Sequence, residues 1–336
     1  MKTPARLMFT GARGLFVSML GALALAGSVT VQAQQQAWPA RPVRMIMPFP
    51  PGGGSDIVAR VAAQSLTVRT GQQFLVENVA GAAGNVGTQA AIRAAPDGYT
   101  LLFTPQSPIT IAGSLEPKPS FDAARDLIPV AMVARTPTLV VVHPSIKANT
   151  LKELAAETRA NRGKYFFGSP GEAHEFHLAA ELVLKSAGAE MTHVPYKGMG
   201  PAIQDTVAGR VQMVVAAIAS VKPFIADGRL RALAAIGPAR FEDYPNVPST
   251  LENGLKDITV YGWFGVFAPA AVPRDLVNRI AREFLELRRD AAYAQKMKEL
   301  NFESMALGPS EFAREIESHR NQWKTVIQTI KLSAPR

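Results

Sequence analysis

The 336-residue chain contains no cysteine. A disulfide framework, a thiol nucleophile and a thiolate metal site are therefore excluded, as is lipidation of a cysteine behind a leader. No run of lysine and arginine with interleaved aromatic residues occurs, so the net charge of +9 does not predict nucleic-acid binding. The P-loop pattern and the G-x-S-x-G nucleophile elbow are also missing, and no cofactor is predicted.

One long apolar run is present, and it lies near the N-terminus. Three basic residues in the first thirteen positions precede it, it extends from Leu15 to Val31, and Ala33 offers a small residue for signal-peptide cleavage. Its length is near the lower limit for a membrane span. We therefore expect residues 1–33 to be a cleaved signal peptide, which predicts a secreted, periplasmic protein without a lipid or membrane anchor.

The remainder of the chain has the composition of a well-packed globular protein. Hydrophobic residues make up 47% and charged residues 19% of the sequence. About 300 mature residues exceed the usual size of one domain, so two domains are expected. Short apolar segments alternate with helical patterns from Val43 to Ile330, which predicts α/β units with mostly parallel sheets.

The most informative segment is IMPFPPGGGSD, from Ile46 to Asp56, where a short apolar strand runs into three glycines and then a helix start. Ser55 or Asp56 is expected to cap that helix. Exposed backbone N–H groups at the positive end of a helix suit a carboxylate or a phosphate. An ordinary strand-to-helix turn is the alternative interpretation.

Several other predicted strands end in loops of small or polar residues. These loops are GAAGNVG (81–87), FTPQSP (103–108), GSPGEAH (168–174) and AAIAS (216–220). Ligands of open α/β sheets lie beyond the carboxyl ends of the strands. The loops together therefore favour a binding site for one small ligand, made largely of N–H donors and hydroxyls.

Candidate catalytic groups lack partners in the sequence. Ser169 lies in a GSPG turn, but no matched acid and base can be assigned to it. His174, His177 and Glu181 share a helix face that zinc could use, although their order is not H-E-x-x-H. A helix cap or a structural cluster is the more ordinary interpretation of that face. The sequence therefore predicts neither an enzyme nor a metal site.

The motifs, taken in order, resemble the extracytoplasmic solute receptors of tripartite tricarboxylate transporters, the TctC or Bug receptor family. The resemblance covers nearly the whole mature chain. It is carried by WPARPVRMIMPFPPGGGSDIVAR (38–60), GQQFLVENVAGAAGNVGTQAA (71–91), PDGYTLLF (96–103), DLIPVAMVARTP (126–137), FGSPGEAHEFHLAAE (167–181), HVPYKGMGPAIQD (193–205), RLRALAAIG (229–237), YPNVPSTLENGL (244–255) and YGWFGVFAPAAVP (261–273).

This resemblance implies an α/β fold of two lobes, of the type II periplasmic-binding-protein kind, with the ligand in the cleft between them. Lobe 1 would comprise residues 34–135 and 262–336, and lobe 2 residues 136–261. Hinge closure would use the crossovers near 134–140 and 261–267. Family members hold carboxylated solutes largely by backbone amides and ordered water in the glycine loops.

The resemblance also implies a set of ligand-binding positions. Eight are carried over from matched loops, three come from the loop at 104–107, and two come from the departures described next. The predicted residues are Phe49, Pro51, Gly53, Asp56, Thr104, Gln106, Ser107, Ser169, Gly171, Ala173, His174, His177 and Ala216.

Departures from the family pattern indicate the ligand class. Ala216 stands where many relatives have an aspartate suited to a ligand ammonium group. His174 stands where the family has serine or threonine and, if protonated, could pair with a second carboxylate. Gln106 adds a neutral donor. These residues predict a dicarboxylate or an aromatic carboxylate without an amino group.

The resemblance predicts a monomeric receptor that delivers its carboxylate to the membrane subunits of a tripartite transporter. A ligand-sensing receptor that presents its closed form to a sensor kinase is an alternative that the sequence does not separate from it. A secreted hydrolase or a metal-dependent enzyme is the remaining class. It would require a second acid or base near Ser169 or His174.

Overall fold

The computed structural model describes Met1 and residues 38–115, 118–255, 258 and 261–330. The predicted signal peptide lies outside the described residues. The strands are β1 Val43–Met47, β2 Phe74–Asn78, β3 Thr100–Pro105, β4 Leu127–Thr136, β5 Thr138–Val142, β6 Phe166–Ser169, β7 Thr192–Pro195, β8 Met213–Ala217, β9 Arg231–Ala235, β10 Gly262–Pro269 and β11 Glu303–Leu307. The helices are α1 Gly54–Thr70, α2 Asn85–Ile92, α3 Ala123–Asp126, α4 Leu151–Ala160, α5 Glu175–Ala187, α6 Met199–Val207, α7 Ile218–Ala226, α8 Arg274–Glu286, α9 Ala291–Glu299 and α10 Pro309–Ile330.

The first sheet has the strand order β11-β4-β10-β3-β1-β2. β1 pairs in parallel with both β2 and β3, as expected for strands that are joined through helices α1 and α2. β10 runs antiparallel between β3 and β4, and β11 adds an antiparallel edge. Every residue of β10 is buried, because helices cover this central strand on both faces.

The second sheet has the strand order β7-β6-β8-β5-β9. β6 pairs in parallel with β7 and β8, whereas β5 runs antiparallel to β8 and β9. The predicted two-lobed α/β fold is confirmed, with mixed sheets. Each antiparallel pair includes β5, β10 or β11.

The chain passes from the first sheet to the second through Pro137, the single residue between β4 and β5. It returns between β9 and β10. At this double crossover the first residue of β10, Gly262, lies against Thr136 of β4, and a Cβ atom at Gly262 would be 2.3 Å from Thr136 Cγ2. The absence of a side chain at this position therefore allows the two connecting strands to approach closely.

Two local expectations were wrong. Helix α1 begins at Gly54 with Gly53 as its N-cap and no side-chain cap, so neither Ser55 nor Asp56 caps it. β11 was not predicted, because its sequence, ESMAL, is mostly half-buried and carries no clear strand alternation. Among the helices of the described residues, none combines the length and hydrophobicity needed to cross a membrane.

Candidate functional site

A small cavity of about 30 Å³ lies where loops from both sheets meet. This volume accommodates one or two water molecules at most. In the first lobe the lining residues come from the β1–α1 loop, the start of α1, the end of β3 and strand β10. In the second lobe they come from the β6–α5 loop and the starts of α5 and α6. The lining residues are Phe49, Gly54, Ser55, Pro105, Pro170, His174, Glu175, Phe176, Met199 and Phe264. Phe49 and His174 are the predicted site residues among them.

Phe49 connects the two lobes at this point. Its side chain is buried, and its ring packs edge to face on the imidazole of His174 with centroids 5.2 Å apart. Gly84, at the start of α2, has φ +94°, and a Cβ atom there would be 2.9 Å from both Phe49 and Pro108. A glycine at this N-cap therefore lets α2 begin directly against the Phe49 ring.

Several helices begin around this cavity without a side-chain cap. α1 has Gly53 as its N-cap and α6 has Gly198, and in the described structure neither helix has a capping side chain. The first-turn N–H groups of such helices have no intrahelical acceptor. Together with the positive ends of the helix dipoles they favour a bound anion.

Asp56 stabilises the loop of Gly52, Gly53 and Gly54 through hydrogen bonds of its carboxylate. Its carboxylate accepts hydrogen bonds from Gly52 N at 3.1 Å, Arg60 Nε at 3.0 Å and Asn78 Nδ2 at 2.9 Å. Asn78 Nδ2 also donates to the carbonyl of Phe49. These contacts place the carboxylate of Asp56 among groups of its own lobe. Among the other predicted residues of this loop, Pro51 is exposed and Gly53 is buried.

Of the three residues predicted at the end of β3 and just after it, Gln106 is directed toward helix α10. The Gln106 amide donates to Tyr261 O at 3.0 Å, and its oxygen accepts from Trp323 Nε1 at 3.0 Å. The hydroxyl of Thr104 donates to Pro105 O. Gln106 thus joins the site loop to the C-terminal helix. The Ser107 hydroxyl is buried without a hydrogen-bond partner among the described residues.

Ser169 and two histidines organise the β6–α5 loop. The Ser169 hydroxyl donates to Gly171 O at 3.0 Å and lies 2.6 Å from His193 Nε2. His193 stacks on His177 with ring centroids 3.7 Å apart, and His177 Nδ1 accepts from Ala173 N. Burial and the neighbouring His177 lower the pKa of His193 to about 3. The serine and histidine pair therefore stabilises a loop in which Gly171 and Ala173 have positive φ.

His174 is the N-cap of α5. Its Nδ1 accepts from Phe176 N at 3.2 Å, so the neutral ring carries its proton on Nε2. Burial, and secondly the proximity of His177, lowers the pKa of His174 to about 3. The ion pair that a protonated His174 was expected to make with a ligand carboxylate is therefore absent near neutral pH. The ring can instead donate one neutral hydrogen bond.

The buried His174 predicts a measurable dependence of stability on acid. Between pH 6.5 and about 3 the unfolded chain binds a proton at this position that the native state does not, so the contribution of His174 to stability falls as pH decreases. Asparagine keeps an N-cap acceptor but does not titrate. In urea unfolding between pH 6 and 4, we expect H174N to lose about 1.4 kcal/mol less per pH unit than the unsubstituted protein. Equal slopes for the two proteins would contradict this assignment.

Of the described residues that line the cavity, Glu175 is the one acidic residue, and it was not among the predicted site residues. It is the first residue of α5 and 1% exposed, and neither carboxyl oxygen has a hydrogen-bond partner among the described residues. Burial raises its pKa to about 7. An acid directly at a helix start inside the GSPGEAHEF loop was the available signal. Because acidic residues are common in the first turn of helices, this signal alone does not identify a site.

Ala216 lies within β8, opposite Leu139 of β5, and is fully buried. The next residue of the strand, Ala217, approaches the first sheet, since a Cβ atom at Gly54 would be 3.2 Å from Ala217 Cβ. Among the described residues, no three His, Asp or Glu side chains form a cluster suited to a metal ion.

Comparisons with known proteins agree with this arrangement. Residues 58–332 match the model of the family described as tripartite tricarboxylate transporter family receptor. Protein BugT of Bordetella pertussis is 32% identical over 313 residues, which cover 93% of this chain and 96% of BugT. The structure of R. palustris Rpa4515 with adipate has a TM-score of 0.85 and 28% identity, covering 89% of this chain and 100% of that one. MatC from Rhodopseudomonas palustris with bound malate has a TM-score of 0.81 and 25% identity, covering 86% and 100%.

Proposed function

Because this chain belongs to the family of tripartite tricarboxylate transporter receptors, we propose that it captures a small carboxylate between its two lobes and delivers it to the membrane subunits of such a transporter. The observation that carries the proposal is the meeting of uncapped helix starts from both lobes at one cavity. The family and its solved members are solute-binding receptors, and the chain is accordingly a receptor and not an enzyme.

The proposed ligand is a dicarboxylate or an aromatic carboxylate that lacks an amino group. Two observations support this class. Ala216 is an apolar residue within a buried strand, so β8 brings no carboxylate for a ligand ammonium group. The solved relatives with adipate and with malate hold dicarboxylates that have no amino group.

We further propose that ligand entry requires the lobes to separate. A four- to six-carbon dicarboxylate is larger than the 30 Å³ cavity. The proposed hinges are the two connections between the sheets, beside Pro137 and Gly262. The proposed lobes are residues 34–135 with 262–336 and residues 136–261. The receptor is proposed to act in the periplasm as a monomer after cleavage of residues 1–33.

The proposal is tested by a thermal-shift screen of the mature protein from Gln34 onward. The panel contains C4–C8 dicarboxylates, aromatic carboxylates, and acidic and neutral amino acids. A ligand at about 100 times its dissociation constant stabilises the fold by roughly 2.7 kcal/mol, which gives a clear shift. We expect stabilisation by a carboxylate without an amino group. Stabilisation by amino acids alone would contradict the ligand class, and no shift with any carboxylate would contradict the proposed function.

A further inference from the structure

Glu175 is buried, lies at the cavity between the lobes, and has carboxyl oxygens that are not hydrogen-bonded among the described residues. The residue lines the cavity between the lobes and is 1% exposed. The hydroxyl and N–H of the neighbouring Ser107 act to lower its pKa against the larger effect of burial, but neither carboxyl oxygen makes a hydrogen bond of ordinary geometry among the described residues. Oε2 lies 3.1 Å from Nδ1 of the neutral His174, a ring atom that already accepts from Phe176 N. A buried carboxyl group without partners costs free energy unless something else occupies its hydrogen-bonding positions.

The other elements around the cavity bring no charged group to its lining. The β1–α1 segment contributes Phe49, Gly54 and Ser55, and β3, β10 and α6 contribute Pro105, Phe264 and Met199. On α1 the carboxylate of Asp56 is held by Arg60, Asn78 and Gly52. His174 is the one other titratable residue of the lining, and its pKa of about 3 leaves it uncharged.

In this setting the carboxyl group of Glu175 can be protonated near neutral pH, since burial raises its pKa to about 7. A protonated carboxyl group is a hydrogen-bond donor, and its natural acceptor is a carboxylate. Two carboxyl groups in one buried site hold a single proton between them, because both cannot ionise at short distance. The uncapped starts of α1 and α6 compensate the one remaining negative charge.

We propose that Glu175 binds a carboxylate group of the ligand through one shared proton, so that the receptor takes up a proton when it binds its dicarboxylate above neutral pH. The inference rests on the proposed function and specifies how the same cavity recognises its ligand. No covalent bond changes: the proton comes from solvent, joins Glu175 and remains between the two carboxyl groups until the ligand leaves.

The sign of the pH dependence follows from this arrangement. The second carboxylate raises the pKa of Glu175 further in the complex than in the free receptor, where it is about 7. Affinity is therefore constant while Glu175 is already protonated, below about pH 7. As pH rises from there toward the pKa of the complex, affinity falls about tenfold per pH unit, with uptake of about one proton per ligand.

Isothermal titration calorimetry of the mature protein with succinate, malate and adipate tests the proposal. Titrations at pH 6, 7, 8 and 8.5, each in two buffers of different ionisation enthalpy, report affinity and proton uptake. We expect uptake of about one proton at pH 8 and a loss of affinity of about fivefold between pH 7 and 8, because about half of the free receptor is still protonated at pH 7. E175Q keeps an N–H donor without a titrating group, so we expect it to bind at every pH without proton uptake.

E172Q is the matched control, since Glu172 lies three residues earlier in the same loop and is exposed. It should retain the proton uptake of the unsubstituted protein. Dicarboxylate binding without proton uptake at pH 8 would overturn the inference and leave the proposed function intact. The inference would also be overturned if folded E175Q bound no ligand while the unsubstituted protein bound amino acids tightly. Glu175 would then act as an ionised acceptor for the ligand ammonium group. Absence of binding by every carboxylate would overturn the proposed function itself.

Discussion

Replacing Gln106 with leucine is expected to lower the free energy of unfolding by about 3 kcal/mol or more. The side chain is fully buried, and its amide satisfies the indole N–H of Trp323 and the carbonyl of Tyr261. His319 Nδ1 lies 2.8 Å from the same amide oxygen. Leucine fills the space but leaves the indole N–H of Trp323 and the carbonyl of Tyr261 without this partner, and each such buried group costs about 1–3 kcal/mol. Urea unfolding at pH 7.5 measures the change.

Gln64 on α1 provides the matched control for this substitution. It is exposed, so Q64L makes the same chemical change where no buried partner depends on it. We expect Q64L to change the free energy of unfolding by no more than about 0.5 kcal/mol. Similar small effects of Q106L and Q64L would show that the contacts between the β3 loop and α10 contribute little. Gln106 would then be free for direct ligand contact, as the sequence suggested.

Replacing Gly87 with alanine is expected to destabilise the protein by about 2–3 kcal/mol and to weaken carboxylate binding at least about tenfold. The residue is buried in α2, and a Cβ atom there would be 2.5 Å from the carbonyl oxygen of Val79 and 2.8 Å from Pro48 Cα. Both neighbours are backbone, so neither can rotate away. α2 has to move outward or displace Pro48, which precedes Phe49 of the cavity.

G113A is the control for this effect, because no atom lies within 4 Å of a Cβ atom at Gly113. Its φ is not in the left-handed region, so alanine there should be neutral or slightly stabilising. Chemical denaturation and calorimetry with a dicarboxylate compare the two variants. If G87A matched G113A in both stability and affinity, the close packing of α2 on the Pro48 loop would not position the site.

The strand-end loops were predictable because the signals that produce them are local. A short apolar strand, a glycine cluster and an amphipathic segment determine β1, its loop and α1 from adjacent residues, and the same holds for β6 and α5. The N-cap of α1 is Gly53, two or three residues before the predicted caps Ser55 and Asp56. Ser and Asp are strong capping signals, but here the Asp56 side chain bonds to Gly52 N and to Arg60 and Asn78.

The individual roles of site residues were harder to predict, because their partners come from distant parts of the chain. Gln106 was expected to serve the ligand as a neutral donor, and its amide meets a tryptophan 217 positions away. Glu175 was not among the predicted site residues, and it lies at the cavity because the β6–α5 loop packs against β10 and the β1–α1 segment. The pattern of neighbouring residues does not show which distant residues contact each other in the fold.

The α/β alternation, the glycine loops, the lack of cysteine chemistry and the receptor family can all be predicted from the amino-acid sequence, since each depends on neighbouring residues or on composition. Which polar side chains already have hydrogen-bond partners, and which do not, is known only from the folded structure. Hydrogen-bond partners and burial are set by packing between elements far apart in sequence. That packing engages Asp56 and Gln106 within the protein and leaves both carboxyl oxygens of Glu175 without a hydrogen-bond partner among the described residues.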